Sequence, residues 1–136
     1  MSIHYEQGDI LDHVYIVHQC NCLTVHPHGL SSTIAKHRRE SDVYQRRRAV
    51  GNRNLAIPED RGVPGTIKVY DTVICLLAQW RPGRIGSRYF HRYPESNPPE
   101  TKQQRELWFE ECLGNLATWV QSKNIQQLPF PDHIRS

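Results

Sequence analysis

Apolar positions fall in two rhythms along this chain. Val14 to Cys22 (VYIVHQCNC) and Thr72 to Trp80 (TVICLLAQW) are short runs rich in apolar and β-branched residues, and they read as buried strands. Thr66 to Tyr70 (TIKVY) alternates, which predicts a half-buried strand. Only Asp71 separates it from the Thr72 run, so the two are expected to pair as a hairpin. Ile3 to Leu11 predicts a further short strand that ends at Gly8-Asp9, and Ile125 to Phe130 predicts another near the C-terminal end. The second rhythm is helical. Leu30 and Ile34 lie four apart in a helix over Leu30 to Lys36, with Ser31 and Ser32 as capping candidates, and this helix is expected to fade near Arg39–Asp42. Thr101 and Gln104 have the T-x-x-Q spacing of a capping box. Beyond them Trp108, Cys112, Leu116 and Trp119 form a stripe, with Phe109, Leu113 and Val120 beside it. So wide an apolar face should pack on a sheet.

The rest of the chain has no regular period. Val43 to Ile57 is broken at Gly51-Asn52, and Pro58 to Gly65 (PEDRGVPG) is dense in turn residues. Arg81 to Pro99 is long for a connection in a compact domain, which points to function. Strands interleaved with helices predict an α/β layered fold with a mixed sheet. A ligand site is expected at the carboxyl ends of its central strands.

Composition narrows the picture. A length of 136 residues suits one domain, 1–136, with its own core. No run approaches the ~20 apolar residues of a membrane span, and the N-terminus has no basic segment followed by an apolar one. No membrane association or signal peptide is expected. The four cysteines form no C-x-x-C pair, and Cys75 and Cys112 sit among apolar neighbours. Buried thiols in a reducing, intracellular compartment (cytoplasmic or nuclear) are expected, rather than disulfides or zinc. Net charge is +3, with basic clusters at Arg38-Arg39, Arg46-Arg47-Arg48 and along Arg81–Arg92. That balance suits a phosphate-bearing ligand or weak nucleic-acid contact, against a merely solvated basic face.

The chemistry centres on Val14 to Lys36. A strand that empties through a glycine-containing loop into a helix aims unpaired N–H groups at an anion, here those of Gly29, Leu30, Ser31 and Ser32. Asn21, at the strand's end, can donate to and accept from ribose hydroxyls, or serve only as a turn residue. Asp9 can accept from an exocyclic amine, or cap a turn. His18, His26 and His28 are clustered, and Cys20 and Cys22 share a strand face with His18. The spacing is not that of a metal site, and none is expected. Glu59-Asp60-Arg61 reads as a loop held by an Asp–Arg contact rather than as an acid/base pair. Trp80, Arg81, Arg84, Arg88, Tyr89, Phe90, Arg92 and Tyr93 could stack on bases, or form an exposed loop. No phosphate-binding, nucleophile-elbow, zincin or dinucleotide motif is present.

Taken together, these pieces resemble a macro domain, the ADP-ribose-binding module, over most of the chain. Gly8-Asp9-Ile10 resembles the opening G-D-[IL] motif, whose Asp contacts the adenine amine. Val17 to Ile34 resembles the stretch from the strand before the ligand to the helix after it, with Asn21 on the Asn that contacts the distal ribose. Gly29 and Leu30 fall on the end of the first phosphate loop. NLAIPEDRGVPGTIKV, Ala78-Gln79 and Arg105-x-x-Trp108-Phe109-x-x-Cys112-Leu113 look like the viral and phage-like branch, akin to the terminal ADP-ribose protein glycohydrolase group. The resemblance implies a three-layer mixed sheet flanked by helices. It implies binding of ADP-ribose, free or on proteins, through Asp9, Ile10, Asn21, Gly29, Leu30, Ser31, Ser32 and Gln79, without a cofactor. It also raises hydrolysis of ADP-ribose from modified proteins, with Asn21 as the catalytic candidate. The alternative is a non-enzymatic macro-like module that binds RNA or a protein through the Arg/aromatic loop.

Two departures qualify the resemblance. The first phosphate loop is Thr24-Val25-His26-Pro27-His28-Gly29, poor in glycine and with a proline that removes a donor. Phe130 to Ile134 looks like the strand leading to a second phosphate loop, and the last strand and helix have no counterpart. An edge so exposed is expected to be covered, by a second copy of the chain or by a rearranged end.

Overall fold

The computed structural model describes residues 2–6, 15–39, 42–123 and 127–131. In chain order these contain β1 (Ser2–Glu6), β2 (Ile16–Asn21), α1 (Leu30–His37), β3 (Ile67–Tyr70), β4 (Val73–Gln79), α2 (Lys102–Ser122) and β5 (Gln127–Pro131). The fold is mixed α/β. A three-stranded sheet has the order β2-β4-β3, with β4 parallel to β2 and antiparallel to β3. The expected hairpin is therefore present, turning through Asp71, which takes a positive φ of 55°. β1 and β5 pair in parallel, and β5 lies alongside β2.

β4 explains the architecture. All its positions are buried, because it is flanked by strands on both edges and covered on both faces. Its alternation sorts the core into two halves. Ile74, Leu76 and Ala78 face α2 and meet Phe109, Cys112, Leu116 and Val120. Val73, Cys75 and Leu77 face the opposite layer, where Ile34 of α1 packs with Val43 and Tyr44. α2 starts as its sequence predicts, with Thr101 Oγ1 accepting from the Gln104 N–H at 3.0 Å. Its stripe differs in one respect. Cys112, Leu116 and Val120 keep the four-residue step, while Trp119 is rotated to the rim and meets Tyr15 edge-on, with centroids 5.9 Å apart. α1 departs from expectation at its cap. Gly29 occupies that position with φ 56°, and no side chain caps the helix.

The segment 43–62 lacks a period because it forms no long element. It contains single helical turns at Tyr44–Arg46 and Pro58–Asp60, and it is tied to the loop after β2 by backbone bonds. Ala56 N–H donates to Leu23 C=O (2.7 Å), and Gly62 N–H donates to Cys22 C=O (2.9 Å). Asp60 does form an arginine contact, but with Arg48 rather than with its neighbour Arg61. Arg48 Nε and Nη2 grip both carboxylate oxygens at 2.9 and 3.0 Å, and Arg61 Nε instead donates to Ala56 C=O. Gly8, Asp9 and Ile10 lie outside the described residues.

Two outcomes test this account. A methyl group at Gly62 would meet Leu77 Cδ1 at 3.0 Å and Cys22 Sγ at 3.1 Å. Gly62→Ala is therefore expected to destabilise the chain by about 1–3 kcal/mol in urea denaturation, the usual range for overpacking. Hydrogen bonds from the Arg48 side chain and backbone hold the Asp60 carboxyl at about 2, below the ~3.9 of an unperturbed Asp. The stabilisation from this pair is then full above pH ~4 and is lost as pH falls toward ~2. A carboxyl carbon NMR titration of Asp60 with a midpoint near 4 would refute the pairing.

Candidate functional site

Parallel strands that stop leave backbone groups needing other partners. At the end of β2 they are met by Arg47, which is buried. Its Nη2 donates to Asn21 C=O and its Nη1 to Thr24 C=O, each at 2.9 Å. The Tyr44 hydroxyl accepts the Asn21 N–H at 3.1 Å. Asn21 itself folds the turn. Its Oδ1 accepts from the N–H groups of Leu23 (2.9 Å) and Thr24 (2.8 Å), and one Nδ2 hydrogen goes to Thr24 Oγ1 (3.1 Å). Asn54 Oδ1 accepts from Val25 and His26 further along the same loop.

At the end of β4 the partner is Glu100. Its buried carboxylate accepts from the Trp80 N–H (2.8 Å), the Arg81 N–H (2.9 Å) and Arg105 Nε (2.8 Å). This clamp organises the segment after β4. Trp80 Nε1 and Arg81 Nε both donate to Pro94 C=O, and the Arg81 guanidinium lies 4.3 Å from the Phe90 ring centroid. Trp80, Arg81 and Phe90 are thereby committed within the loop. Arg84, Arg88 and Arg92 remain exposed.

Between these two ends lies a cleft of about 410 Å³, lined by Gln19, Asn21, His28, Gly29, Ser31, Tyr44, Gln79, Pro82, Gly83 and Tyr89. His28 and Tyr89 meet at its mouth, with Nε2 and the hydroxyl 3.3 Å apart. Two amides form its inner wall. Gln19 Nε2 donates to Gln79 Oε1 (2.7 Å), and Gln79 Nε2 donates to Arg81 C=O (2.9 Å). The Arg81 carbonyl can only accept, so it orients Gln79, and Gln79 in turn orients Gln19. The result is a directed chain that leaves Gln19 Oε1 buried and without a partner among the described residues. Such an acceptor costs about 1–3 kcal/mol unless a ligand donates to it. A second cavity, of about 540 Å³, lies on the α2 side of the same two glutamines, with Arg84, Lys102 and Arg105 on its wall.

Beneath the cleft, His18, Cys20 and Cys75 are buried together. Burial opposes ionisation of Cys20, but the hydrogen bond from Cys75 and the His18 imidazole beside it outweigh it and hold this thiol well below the ordinary range. The hydrogen bond to Cys20, and then burial, push Cys75 well up. Burial also raises Cys22 and takes Cys112 to about 12, so both are inert thiols at neutral pH.

Of the residues singled out from sequence, Asn21, Gly29, Ser31 and Gln79 come together at the cleft. Leu30 and Ser32 are not among its lining residues. The Ser31 N–H donates to His28 C=O and the Ser32 N–H to Gly29 C=O, so both are used within the turn. The N–H groups of Gly29 and Leu30 have no partner among the described residues. Asp9 and Ile10 lie outside those residues. Gln19, Tyr44, Arg47 and Glu100 were not foreseen. Gln19 lies in the same run as Asn21, but only its register beside β4 gives it a role. No family model, curated protein or solved structure matches the chain. Among the described residues no helix is long and apolar enough to cross a membrane.

Glu100→Ala removes an acceptor shared by two strand-end N–H groups and takes the carboxylate from the half-buried Arg105, leaving it only the Arg81 carbonyl and the Phe90 ring. A loss of about 3–5 kcal/mol is expected, the range for breaking a buried pair from one side. Urea denaturation measures it, and a loss below ~1 kcal/mol would show that water replaces the clamp.

Proposed function

We propose that this chain is a macro-like module that binds ADP-ribose, free or attached to protein, in the cleft at the carboxyl ends of β2 and β4. The observation that carries this reading is the convergence there of Asn21, Gly29, Ser31 and Gln79. Each was singled out from sequence for this ligand, and each is supplied by a different local reason: strand end, loop, helix start and neighbouring strand. The three-layer arrangement, with α2 on one sheet face and α1 on the other, supports the same reading. In it, Gly29 and Leu30 offer N–H groups to a phosphate at the positive end of α1. Asn21 has one Nδ2 hydrogen left for a ribose hydroxyl, and the orphaned Gln19 Oε1 takes a ligand donor. Asp9 would hold the adenine amine.

Removal of ADP-ribose from proteins is the accompanying activity. It requires a water to attack the anomeric carbon while the bond to the acceptor breaks, with the acceptor leaving protonated. Asn21 is mostly engaged in its own turn, so it is better suited to hold the sugar than to move a proton. RNA binding through the Arg/aromatic loop is less favoured, because Trp80, Arg81 and Phe90 are already bound within that loop.

Titration calorimetry with ADP-ribose decides the binding reading. Saturable one-to-one binding is expected, and no heat at millimolar ligand would sink it. Gln19→Leu is expected to weaken binding about tenfold or more, the equivalent of one ~1.4 kcal/mol hydrogen bond. It should leave the melting temperature of the free protein nearly unchanged, since it exchanges one unpaired buried acceptor for another, Gln79 Oε1. Loss of label from an ADP-ribosylated protein incubated with the chain tests the hydrolytic activity separately.

A further inference from the structure

Sheet register brings together three ligand-type side chains that the sequence keeps apart. His18 on β2 lies directly opposite Cys75 on β4, and Cys20 follows two residues later on the same face. One nitrogen and two sulfurs thus lie within 4.8 Å of one another, all buried. From these residues we propose a buried site for one tetrahedral, thiol-preferring metal ion of the zinc class, bound by His18 Nε2, Cys20 Sγ and Cys75 Sγ.

The distances carry the argument. Zinc bonds of ~2.3 Å to sulfur and ~2.0–2.1 Å to nitrogen at tetrahedral angles separate a sulfur from a nitrogen ligand by ~3.6 Å. The observed separations from His18 Nε2 are 3.4 Å to Cys75 Sγ and 3.7 Å to Cys20 Sγ. Each is close to an edge of a coordination tetrahedron; Cys20 Sγ also lies 3.7 Å from His18 Nδ1, so a turn of the imidazole, with the strands in place, is needed to aim Nε2 at the ion.

The imidazole also has an outer-shell partner. Ser31 Oγ is 2.9 Å from His18 Nδ1 and 3.5 Å from Gln19 C=O. With the hydrogen on Nδ1, the ring donates to this hydroxyl. That tautomer keeps the Nε2 lone pair for the ion, the usual outer-shell support of a metal-bound histidine. The donor set selects the ion. Two thiolates and an imidazole suit zinc or other soft ions and do not suit Mg2+ or Ca2+. A dication with two thiolates is neutral overall, which an interior tolerates, and binding releases any remaining thiol protons to solvent. Three protein ligands leave one position for a further ligand, and Ser31, which touches the cluster, also lines the cleft.

The site does not depend on the ADP-ribose reading and is tested without that ligand. The full chain, stripped with chelator under reducing conditions, is titrated with Co2+. One equivalent is expected to produce sulfur-to-cobalt charge transfer and the ligand-field bands of tetrahedral cobalt, and Zn2+ should displace both. His18→Gln and Cys75→Ser should abolish the spectrum, whereas Cys22→Ser and Cys112→Ser should keep it. Ser31→Ala should weaken the metal about tenfold or more. Folded wild-type protein without the spectrum overturns the proposal, as does equal loss in the Cys22 variant. If the ligand variants do not fold, X-ray absorption of the zinc-loaded wild type decides. A first shell with two sulfurs and one nitrogen is expected, and an all-oxygen shell overturns it.

Discussion

The chain depends on one constraint: where β2 and β4 stop, their backbone groups must be paired without further strand. Water cannot do this, because both strands are buried to their ends. The chain uses two buried charges instead. Arg47 supplies donors to the carbonyls after β2, and Glu100 supplies acceptors to the N–H groups after β4. Charged partners make the stronger hydrogen bonds, and each of these ions is itself held, Arg47 over the Tyr44 ring and Glu100 by Arg105. The cleft is thereby preformed. Its two rims are set by residues about fifty positions apart in sequence, and neither rim relies on a regular element.

The same clamps account for what the sequence showed and what it concealed. β4 and α2 were legible because burial on two faces gives a continuous apolar run, and burial on one helical face gives a stripe. The hairpin was legible because its turn is short. Segment 43–62 was not, since it is held by bonds between non-adjacent backbone groups, which leave no period. Arg47 sits in a run of three arginines that reads as surface charge, and only the fold shows that the middle one points inward. Glu100 follows two prolines and resembles a helix-flanking acid. The pairing of Cys75 with His18 is a matter of register, and register depends on a partner strand 57 residues away.

The cleft's chemistry also differs from what the loop's position alone suggested. A glycine-rich loop recognises phosphate by letting the ligand approach the backbone closely. Here Pro27 and the two histidines replace that flexibility, and Asn21, Thr24 and Asn54 fix the loop through side chains. Few N–H groups are left for an anion. What the site offers instead is a line of amides whose direction is set at one end by the Arg81 carbonyl and which ends in a buried acceptor with no partner among the described residues.

That direction has a consequence for selectivity. An acceptor fixed by two upstream hydrogen bonds cannot rotate to become a donor without breaking both, and the reversed chain would set the Gln79 carbonyl against that of Arg81. On the proposed reading the site would therefore discriminate between ligand groups that donate and those that only accept. A hydroxyl or an amine reaching Gln19 Oε1 would find an acceptor there, and a phosphate oxygen or a keto group would be repelled. On the proposed reading this assigns the inner wall to the sugar and leaves the phosphates to the Gly29 rim, so the ligand's orientation in the cleft follows from hydrogen-bond direction.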